Sequence, residues 1–218
     1  MRTTIDNFWQ ENKKFALFLL LMLVFRSAVA DWNDVPTGSM KPTIIEGDRI
    51  FINKLAYDVN LPFFQFSLIK LADPDVNDII IFESNAAGKR LVKRVIGVPG
   101  DVVEMVDNKL IINHQAVRYR RINQSNKQEM NMYTENIIGH THHIQTTEEH
   151  NNYGNFSPVV VPTDHYLVLG DNRNNSADSR VIGFVPRREI IGKSTHVVFS
   201  LDYEHYYLPR IDRFFASI

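Results

Sequence analysis

Three short polar segments carry the residue types in this sequence that could perform chemistry. The first is PTGSMKPTIIEGD, residues 36–48, in which Thr37 and Ser39 flank a glycine. The second is LVKRVIGVPGD, residues 91–101, and the third is GDNRNNSADSR, residues 170–180. A glycine-bent loop can present a serine hydroxyl as a nucleophile, although Gly, Pro and Ser are also the ordinary residues of a tight polar turn.

Lys93 is the candidate general base in the second segment. In an extended strand, Lys93 and Arg94 point to opposite faces of a sheet whose other residues are aliphatic. At least one of these cations is then poorly solvated, unless the segment is an edge strand whose charges face water. Burial disfavours an ammonium ion and lowers the pKa of a lysine, by about 3–5 units when burial is complete. A neutral lysine amine can accept the proton of a serine hydroxyl, as in Ser-Lys pairs.

The third segment could support such a pair. Ser176 could form a hydrogen bond to the Lys93 amine, while Asp178 and Arg180 could form an ion pair that makes the loop rigid. Catalysis needs support of this kind because small displacements of reacting groups lower the rate steeply. The alternative is an ordinary polar loop that follows an apolar strand.

The composition of the whole chain excludes several classes of function. With 218 residues, 44% of them hydrophobic, the chain suits one domain or one domain with an insertion. Its 24 Lys and Arg nearly balance 25 Asp and Glu, so it lacks the basic excess of a nucleic-acid-binding protein. The absence of cysteine excludes disulfides, thiolate-zinc sites and a cysteine nucleophile.

The N-terminus has the pattern of a membrane-directed segment. Lys13 and Lys14 precede eleven unbroken apolar residues, 15–25, and Arg26 follows them. This length fits a signal-peptide core, because a spanning helix needs about 20 apolar residues. The alternative is a retained anchor over residues 15–30, with Arg26 reaching the outer interface. In both cases the excess of positive charge before the apolar run predicts a cytoplasmic N-terminus.

The rest of the chain has the alternation of short β-strands. Strands are predicted in DRIFINKLA, NDIIIFES, RLVKRVIGV, HYLVLG and STHVVFS, and a hairpin that turns at residues 107–109 is predicted in DVVEMVDNKLIINH. Residues 118–157 are rich in Asn, Gln, Thr and His and are expected to leave the main sheet. Their histidines show no ligand geometry, so we expect no metal. The apolar segment 61–71 is expected in the core, or alternatively as an exposed patch on a bilayer.

Taken in order behind the apolar N-terminus, the three polar segments resemble the motif boxes of type I signal peptidases, also called leader peptidases. The matching stretches are PTGSMKPTIIEGDRIFINKLAY, RLVKRVIGVPGD, and GDNRNNSADSR with GFVP after it. The resemblance implies a mostly β, signal-peptidase-like catalytic domain behind one N-terminal transmembrane helix. It divides the chain into a cytoplasmic N-terminus (1–14), an anchor (15–30), a β-rich catalytic domain (31–117 and 158–218) and a reduced polar insertion (118–157).

The resemblance also assigns roles to the reacting groups. It implies that Ser39 is the nucleophile and that Lys93 is the general base, which later protonates the leaving amine. It implies an oxyanion hole formed by the Ser39 backbone N–H and the Thr37 hydroxyl. Position 37 is Ser in many members, and the stiffer rotamer of threonine changes the expected donor geometry. No cofactor and no metal are expected.

Further residues have supporting roles by the same resemblance. Ser176 is expected to orient the lysine, supported by Asp178 and Arg180. Val35 and Val92 are expected to line shallow pockets that admit the small residues of an Ala-x-Ala cleavage site. The sequence also departs from the family pattern, with Asn174 in place of an acidic residue, Asn77-Asp78 in place of Gly-Asp, and a shortened segment between the last two boxes.

The predicted function is removal of signal peptides from exported preproteins by a membrane-anchored serine endopeptidase. The predicted location is the bacterial inner membrane, single-pass, with the catalytic domain on the outer face. The expected partners are preproteins and the lipid bilayer, without nucleic acid, and the protein is expected to be a monomer. Two alternatives remain, a dedicated peptidase for a pilin or conjugation substrate and a catalytically silent anchored β-domain. Ala28-Val29-Ala30 is a candidate site of self-cleavage.

Overall fold

The computed structural model describes residues 2–64, 66–122, 130–147 and 154–218, with side chains from residue 12 onward. Its helices are α1 (Arg2–Ala28) and α2 (Ser179–Ile182). Its strands are β1 (Ala30–Asp34), β2 (Asp48–Asn53), β3 (Asp58–Asn60), β4 (Ser67–Lys70), β5 (Ile79–Ser84), β6 (Lys89–Gly97), β7 (Val102–Val106), β8 (Lys109–Ile112), β9 (Gln115–Ala116), β10 (Arg118–Ile122), β11 (Met130–Ile137), β12 (His140–Thr147), β13 (Phe156–Val160), β14 (His165–Leu169), β15 (Val185–Pro186), β16 (Ile190–Ser194), β17 (Val197–Asp202) and β18 (Leu208–Pro209).

The main sheet has nine strands in the order β15-β14-β6-β5-β16-β2-β17-β18, with β1 paired to β2. All of its strand pairs are antiparallel. Strand β6 lies between β14 and β5, so the charges of Lys93 and Arg94 are not on an edge strand. Both side chains are only 2% exposed. The edge-strand alternative is therefore wrong, and two adjacent cations are buried in an internal strand.

The predicted strands of the main sheet are confirmed as β2, β5, β6, β14 and β17. The predicted hairpin is β7-β8, which belongs to a four-stranded sheet in the order β13-β7-β8-β9. Strand β16 was not predicted, because Gly192 interrupts its apolar pattern. A Cβ on Gly192 would lie 2.5 Å from the Asn53 carbonyl oxygen, so this glycine permits the close approach of β16 to β2.

Residues 118–157 include a separate three-stranded sheet in the order β10-β11-β12. This sheet has its own polar interior, in which Glu135 is fully buried. Two of its apolar side chains, Ile137 and Ile144, are also buried. His150, one of the histidines of residues 118–157, lies outside the described residues.

Helix α1 is longer than the predicted anchor and includes all of its apolar run. Its apolar side chains are exposed, for example Phe15 at 61% and Phe18 at 58%. In the described part of the chain, no helix meets the length and apolarity of a membrane-crossing segment. The chain leaves the helix at Ala28 and enters β1 at Ala30, where Lys54 N donates to Val29 O at 3.0 Å. The candidate self-cleavage site is therefore hydrogen-bonded to the domain.

The prediction that segment 61–71 belongs to the core is wrong. Its aromatic side chains Phe63, Phe64 and Phe66 are 62%, 66% and 64% exposed. The segment is exposed because its strand β4 pairs with β3 in a small two-stranded ribbon apart from the main sheet. It contacts the end of helix α1, where the Phe63 N–H donates to Ser27 Oγ at 2.6 Å.

Candidate active site

The loop that carries Ser39 is a single 3₁₀ turn, Gly38–Met40, that precedes strand β2. The turn is closed by the Lys41 N–H, which donates to Gly38 O at 3.1 Å. Its apolar residues Met40 and Ile44 are 1% and 0% exposed and pack into a core cluster beneath the loop. These buried anchors leave the Ser39 side chain partly exposed at the top of the turn.

Lys93 reaches Ser39 from strand β6. Its Nζ lies 2.7 Å from Ser39 Oγ and 2.9 Å from the Val92 carbonyl oxygen. Desolvation lowers the pKa of Lys93 from its ordinary 10.5 to about 8, against the opposing effect of the Asp178 and Asp171 carboxylates. A large neutral fraction is therefore present near pH 8, and in that form the amine can accept the serine proton.

A second loop, residues 170–176, supports the Ser39 turn from the other side. The Asn172 N–H donates to Ser39 O at 3.1 Å, and Asn172 Nδ2 donates to Gly38 O at 3.0 Å. The contact requires a glycine at position 170, because a Cβ there would collide with Ser39 O and Ser176 Oγ. The first and third polar segments of the sequence are therefore in direct contact.

The ion pair predicted between Asp178 and Arg180 is present. Arg180 Nε donates to Asp178 Oδ1 at 2.8 Å, and Arg180 Nη2 donates to Oδ2 at 2.7 Å. Asp178 is 0% exposed and also accepts the Gly170 N–H at 3.0 Å. Arg180 Nη2 donates in addition to Arg173 O at 2.7 Å, so the pair holds the start and the middle of the 170–176 loop.

The hydrogen bond predicted between Ser176 and Lys93 is not formed in this structure. Ser176 Oγ is buried and has no hydrogen-bond partner among the described residues. It lies instead close to Gly170, beside Ser39 O. Lys93 Nζ uses Ser39 and the Val92 carbonyl as its partners.

The remaining predicted residues surround the Ser39 turn. Thr37 is exposed and extended, with φ −132°, and its side chain does not cap the 3₁₀ turn. Val35 is 5% exposed within the cluster beneath the turn, and Val92 packs against the same cluster from β6. The structure thus brings Thr37, Val35 and Val92 to the neighbourhood of Ser39 and Lys93.

Sequence reasoning missed a buried network beside the pair. Arg94 donates to Asp171 in a bidentate manner, from Nε at 2.9 Å and from Nη2 at 2.7 Å. Thr43 Oγ1 donates to the same carboxylate at 2.5 Å. Burial alone would raise the pKa of Asp171, but the Arg94 guanidinium outweighs it and holds this pKa below its usual range. The network joins the three polar segments, and the adjacency of Arg94 to Lys93 was its only signal in the sequence.

The C-terminal segment also holds the nucleophile loop, which the sequence analysis did not predict. Arg213 donates to Asp48 from Nε at 2.9 Å and from Nη2 at 2.6 Å, and to Thr43 O at 3.0 Å. Asp48 is 0% exposed. Arg210 Nη1 donates to Glu46 O at 2.9 Å. Two arginines three residues apart therefore hold the end of the loop that begins at Thr37.

Replacing Arg213 by alanine is expected to lower the free energy of unfolding by about 3 kcal/mol. The reason is that the Asp48 carboxylate would remain buried without its ion-pair partner. Chemical denaturation in detergent micelles measures the effect. The matched control is Arg188→Ala, an exposed arginine, for which we expect a change within about 0.5 kcal/mol. Equal stabilities of Arg213→Ala and Arg188→Ala would contradict a role for Arg213 in holding the loop.

Known signal peptidases are similar to this chain over most of its length. The family model described as signal peptidase, peptidase S26, matches residues 9–199. Signal peptidase I of Pseudomonas fluorescens is 33% identical over 203 residues, covering 87% of this chain and 72% of the relative. Signal peptidase I of Rickettsia canadensis (strain McKiel) is 35% identical over 211 residues, covering 88% of this chain and 80% of the relative.

A solved structure of a signal peptidase I is also similar in sequence. The crystal structure of a signal peptidase I from Enterococcus faecalis V583 is 31% identical and covers 57% of this chain and 98% of its own. The TM-score is 0.36.

Proposed function

This chain belongs to the signal peptidase family, peptidase S26, and from that premise we propose that Ser39 and Lys93 carry out the removal of signal peptides from exported preproteins. Membership makes the chain a serine endopeptidase of a mostly β fold. The observation that carries the proposal is the 2.7 Å distance between Ser39 Oγ and Lys93 Nζ. A buried lysine with a pKa of about 8 in this position is suited to the role of general base.

The proposed reaction has two steps, acylation of Ser39 and hydrolysis of the acyl ester. Neutral Lys93 takes the proton of Ser39 as Oγ attacks the scissile carbonyl, and a tetrahedral oxyanion forms. The protonated Lys93 then donates its proton to the leaving amine as the peptide C–N bond breaks, which leaves an acyl ester on Ser39. Water attacks this ester, again with Lys93 as base, and releases the signal peptide with a free carboxylate and the serine hydroxyl restored.

The oxyanion is proposed to be bound by the Ser39 backbone N–H and the Thr37 hydroxyl. Thr37 is exposed two residues before Ser39, so its hydroxyl is free of the 3₁₀ turn and available to a substrate. Preorganised donors of this kind contribute about 2.7–4 kcal/mol each to transition-state stabilisation. Ser176 is proposed to complete the orientation of Lys93 when substrate is bound, with Asp178 and Arg180 holding its loop.

The cleavage site is proposed to be of the Ala-x-Ala type. The support is that Val35 and Val92 both belong to the apolar cluster beneath the Ser39 turn, and we propose that they line a shallow apolar pocket there. A pocket of this kind accepts alanine and excludes larger side chains by collision.

Helix α1 is proposed to anchor the enzyme in the bacterial inner membrane, with the N-terminus in the cytoplasm. The support is the exposed apolar run of the helix and the exposed aromatic side chains of residues 61–71 beside its end. Exposed aromatic and aliphatic side chains at this junction of helix and ribbon are suited to the bilayer interface. In this arrangement the β domain faces the outer side of the membrane, where preproteins emerge.

Cleavage of a preprotein in detergent micelles tests this function. We expect one cut after an Ala-x-Ala site, located by mass spectrometry of both products. Substituting the alanine immediately before the cut by tryptophan is expected to lower kcat/KM by about 100-fold, because the shallow pocket excludes the larger side chain. The same substitution five residues further toward the N-terminus is the matched control. Cleavage of a single pilin-like preprotein, with others left intact, would instead favour a dedicated processing peptidase.

A further inference from the structure

The buried side chain of Glu135 receives donors from several elements. Glu135 lies in β11 and is 0% exposed. The Tyr119 hydroxyl of β10 donates to its Oε1 at 2.5 Å. His142 of β12 places Nε2 2.9 Å from Oε2, close but without hydrogen-bond alignment. All three strands of the small sheet therefore converge on this one carboxylate.

The strongest partner of Glu135 comes from outside that sheet. Arg173, in the 170–176 loop, donates from Nη1 to Oε1 at 2.8 Å and from Nη2 to Oε2. Arg173 is only 1% exposed, so neither charge of the pair reaches water. Burial alone would raise the pKa of Glu135, but the Arg173 guanidinium in contact with it outweighs burial, lowers this pKa and keeps the carboxyl ionised. An ion pair in such surroundings fixes the positions of both partners.

The backbone reinforces the same contact. The Arg173 N–H donates to Gln145 O at 3.0 Å, and the Gln145 N–H donates to Asp171 O at 2.9 Å. Strand β12 therefore pairs with the loop on both sides of Asn172. Asn172 is the residue that donates to Ser39 O and Gly38 O. The loop is thus held between the small sheet and the nucleophile turn.

We propose that Glu135 is a positioning residue for signal-peptide cleavage, which acts through Arg173 to hold the 170–176 loop against the Ser39 turn. The proposal rests on the proposed function of Ser39 and Lys93, and it gives the small sheet of residues 118–157 a role in catalysis. Glu135 itself touches no reacting group. Its effect is on the position of Ser39 relative to Lys93, where a displacement of about 1 Å can lower the rate by about 100-fold.

The test is the variant Glu135→Gln, which keeps the size of the side chain and removes its charge. We expect kcat for preprotein cleavage to fall by about 10- to 100-fold, while KM stays within about threefold because the proposed substrate pockets are untouched. Hydrogen exchange, read by mass spectrometry, is expected to accelerate in peptides that span 170–176. The matched control is Glu83→Gln, which removes an exposed ion pair with Arg90. We expect it to change neither kcat nor the exchange rate of residues 170–176.

A second variant separates positioning from folding. Glu135→Gln leaves the charge of Arg173 buried and unpaired, which could unfold the chain. The double variant Glu135→Gln/Arg173→Met contains no unpaired buried charge at this pair, and we expect it to recover the melting temperature but not kcat. Activity within about twofold of wild type in the folded double variant would overturn the proposal. So would a loss of activity with unchanged exchange at residues 170–176.

The two proposals fail in different ways. If the wild-type enzyme cleaved no signal-peptide-bearing preprotein, the proposed function would fall. The exchange measurement would still report whether Glu135 holds the 170–176 loop, because it requires no substrate. If cleavage were normal in wild type and in Glu135→Gln alike, only the positioning role would be wrong.

Discussion

Replacing Ser39 by alanine is expected to lower kcat for preprotein cleavage by on the order of 10⁶-fold, which is the size of effect that follows removal of a serine protease nucleophile. The reason is that the acyl ester cannot form without the Oγ atom. KM is expected to change little, because Thr37, Val35 and Val92 remain in place. Single-turnover cleavage of a purified preprotein, followed by gel and mass spectrometry, measures the rate.

The fold of the variant must be checked in the same preparation. Ser39 is partly exposed and its turn is held by Met40 and Ile44, so Ser39→Ala is expected to unfold at the wild-type temperature within about 2 °C. Ser157→Ala, at an exposed serine on strand β13, is the matched control and should cleave at the wild-type rate. Cleavage by Ser39→Ala at more than about 1% of the wild-type rate would show that the 36–48 loop is only a turn.

The strands of the main sheet could be predicted because their side chains alternate or form short branched runs. In β2, for example, Ile50 and Ile52 are buried while Phe51 is exposed, as a period of two requires. For segment 61–71 the same reasoning gave a wrong prediction. Its aromatic content is equally typical of a core strand and of an exposed ribbon, and hydrophobicity alone does not distinguish the two.

The contacts around the site were harder to predict, because the fold decides which distant residues become hydrogen-bond or ion-pair partners. Ser39 and Lys93 are 54 residues apart in the chain. Their residue types suggested a Ser-Lys pair, and the resemblance to a known family assigned the two roles. Within the third box, the Asp178–Arg180 pair is local and was predicted from its spacing. The Arg173–Glu135 and Arg213–Asp48 pairs were not, because their partners are 38 and 165 residues distant and other carboxylates are equally suitable by type.

The buried charges also explain why the polar segments keep one arrangement. Arg94, Asp171 and Lys93 lie in the interior, where each unpaired charge would be costly. Arg94 and Asp171 neutralise each other, whereas Lys93 contacts no carboxylate among the described residues and loses its proton more easily instead. Two adjacent basic residues of β6 therefore have different roles: Arg94 forms a structural ion pair, and Lys93 is a candidate general base.

Replacing Lys93 by methionine is expected to abolish cleavage and to stabilise the fold at neutral pH. Without the amine, no group at the site takes the Ser39 proton, so kcat should fall by about 10⁴-fold or more. The folded pKa of about 8 lies below the ordinary 10.5, so burial of the ammonium destabilises the fold fully below pH 8, and less as pH rises from 8 to 10.5. Methionine removes this cost, which is about 3 kcal/mol at 1.36 kcal/mol per pKa unit. Denaturation at pH 7 measures the gain.

The same titration predicts the pH dependence of the wild-type enzyme. Cleavage needs neutral Lys93, so kcat/KM should rise about tenfold per pH unit below pH 8 and level off above it. Initial rates on a soluble peptide substrate between pH 6 and pH 10 measure this limb, with Lys109→Met, at an exposed lysine, as the control that should keep it. A flat profile would exclude a titrating lysine base. For the stability prediction, a Lys93→Met variant as stable as wild type at pH 7 would show that the buried Lys93 ammonium does not destabilise the fold.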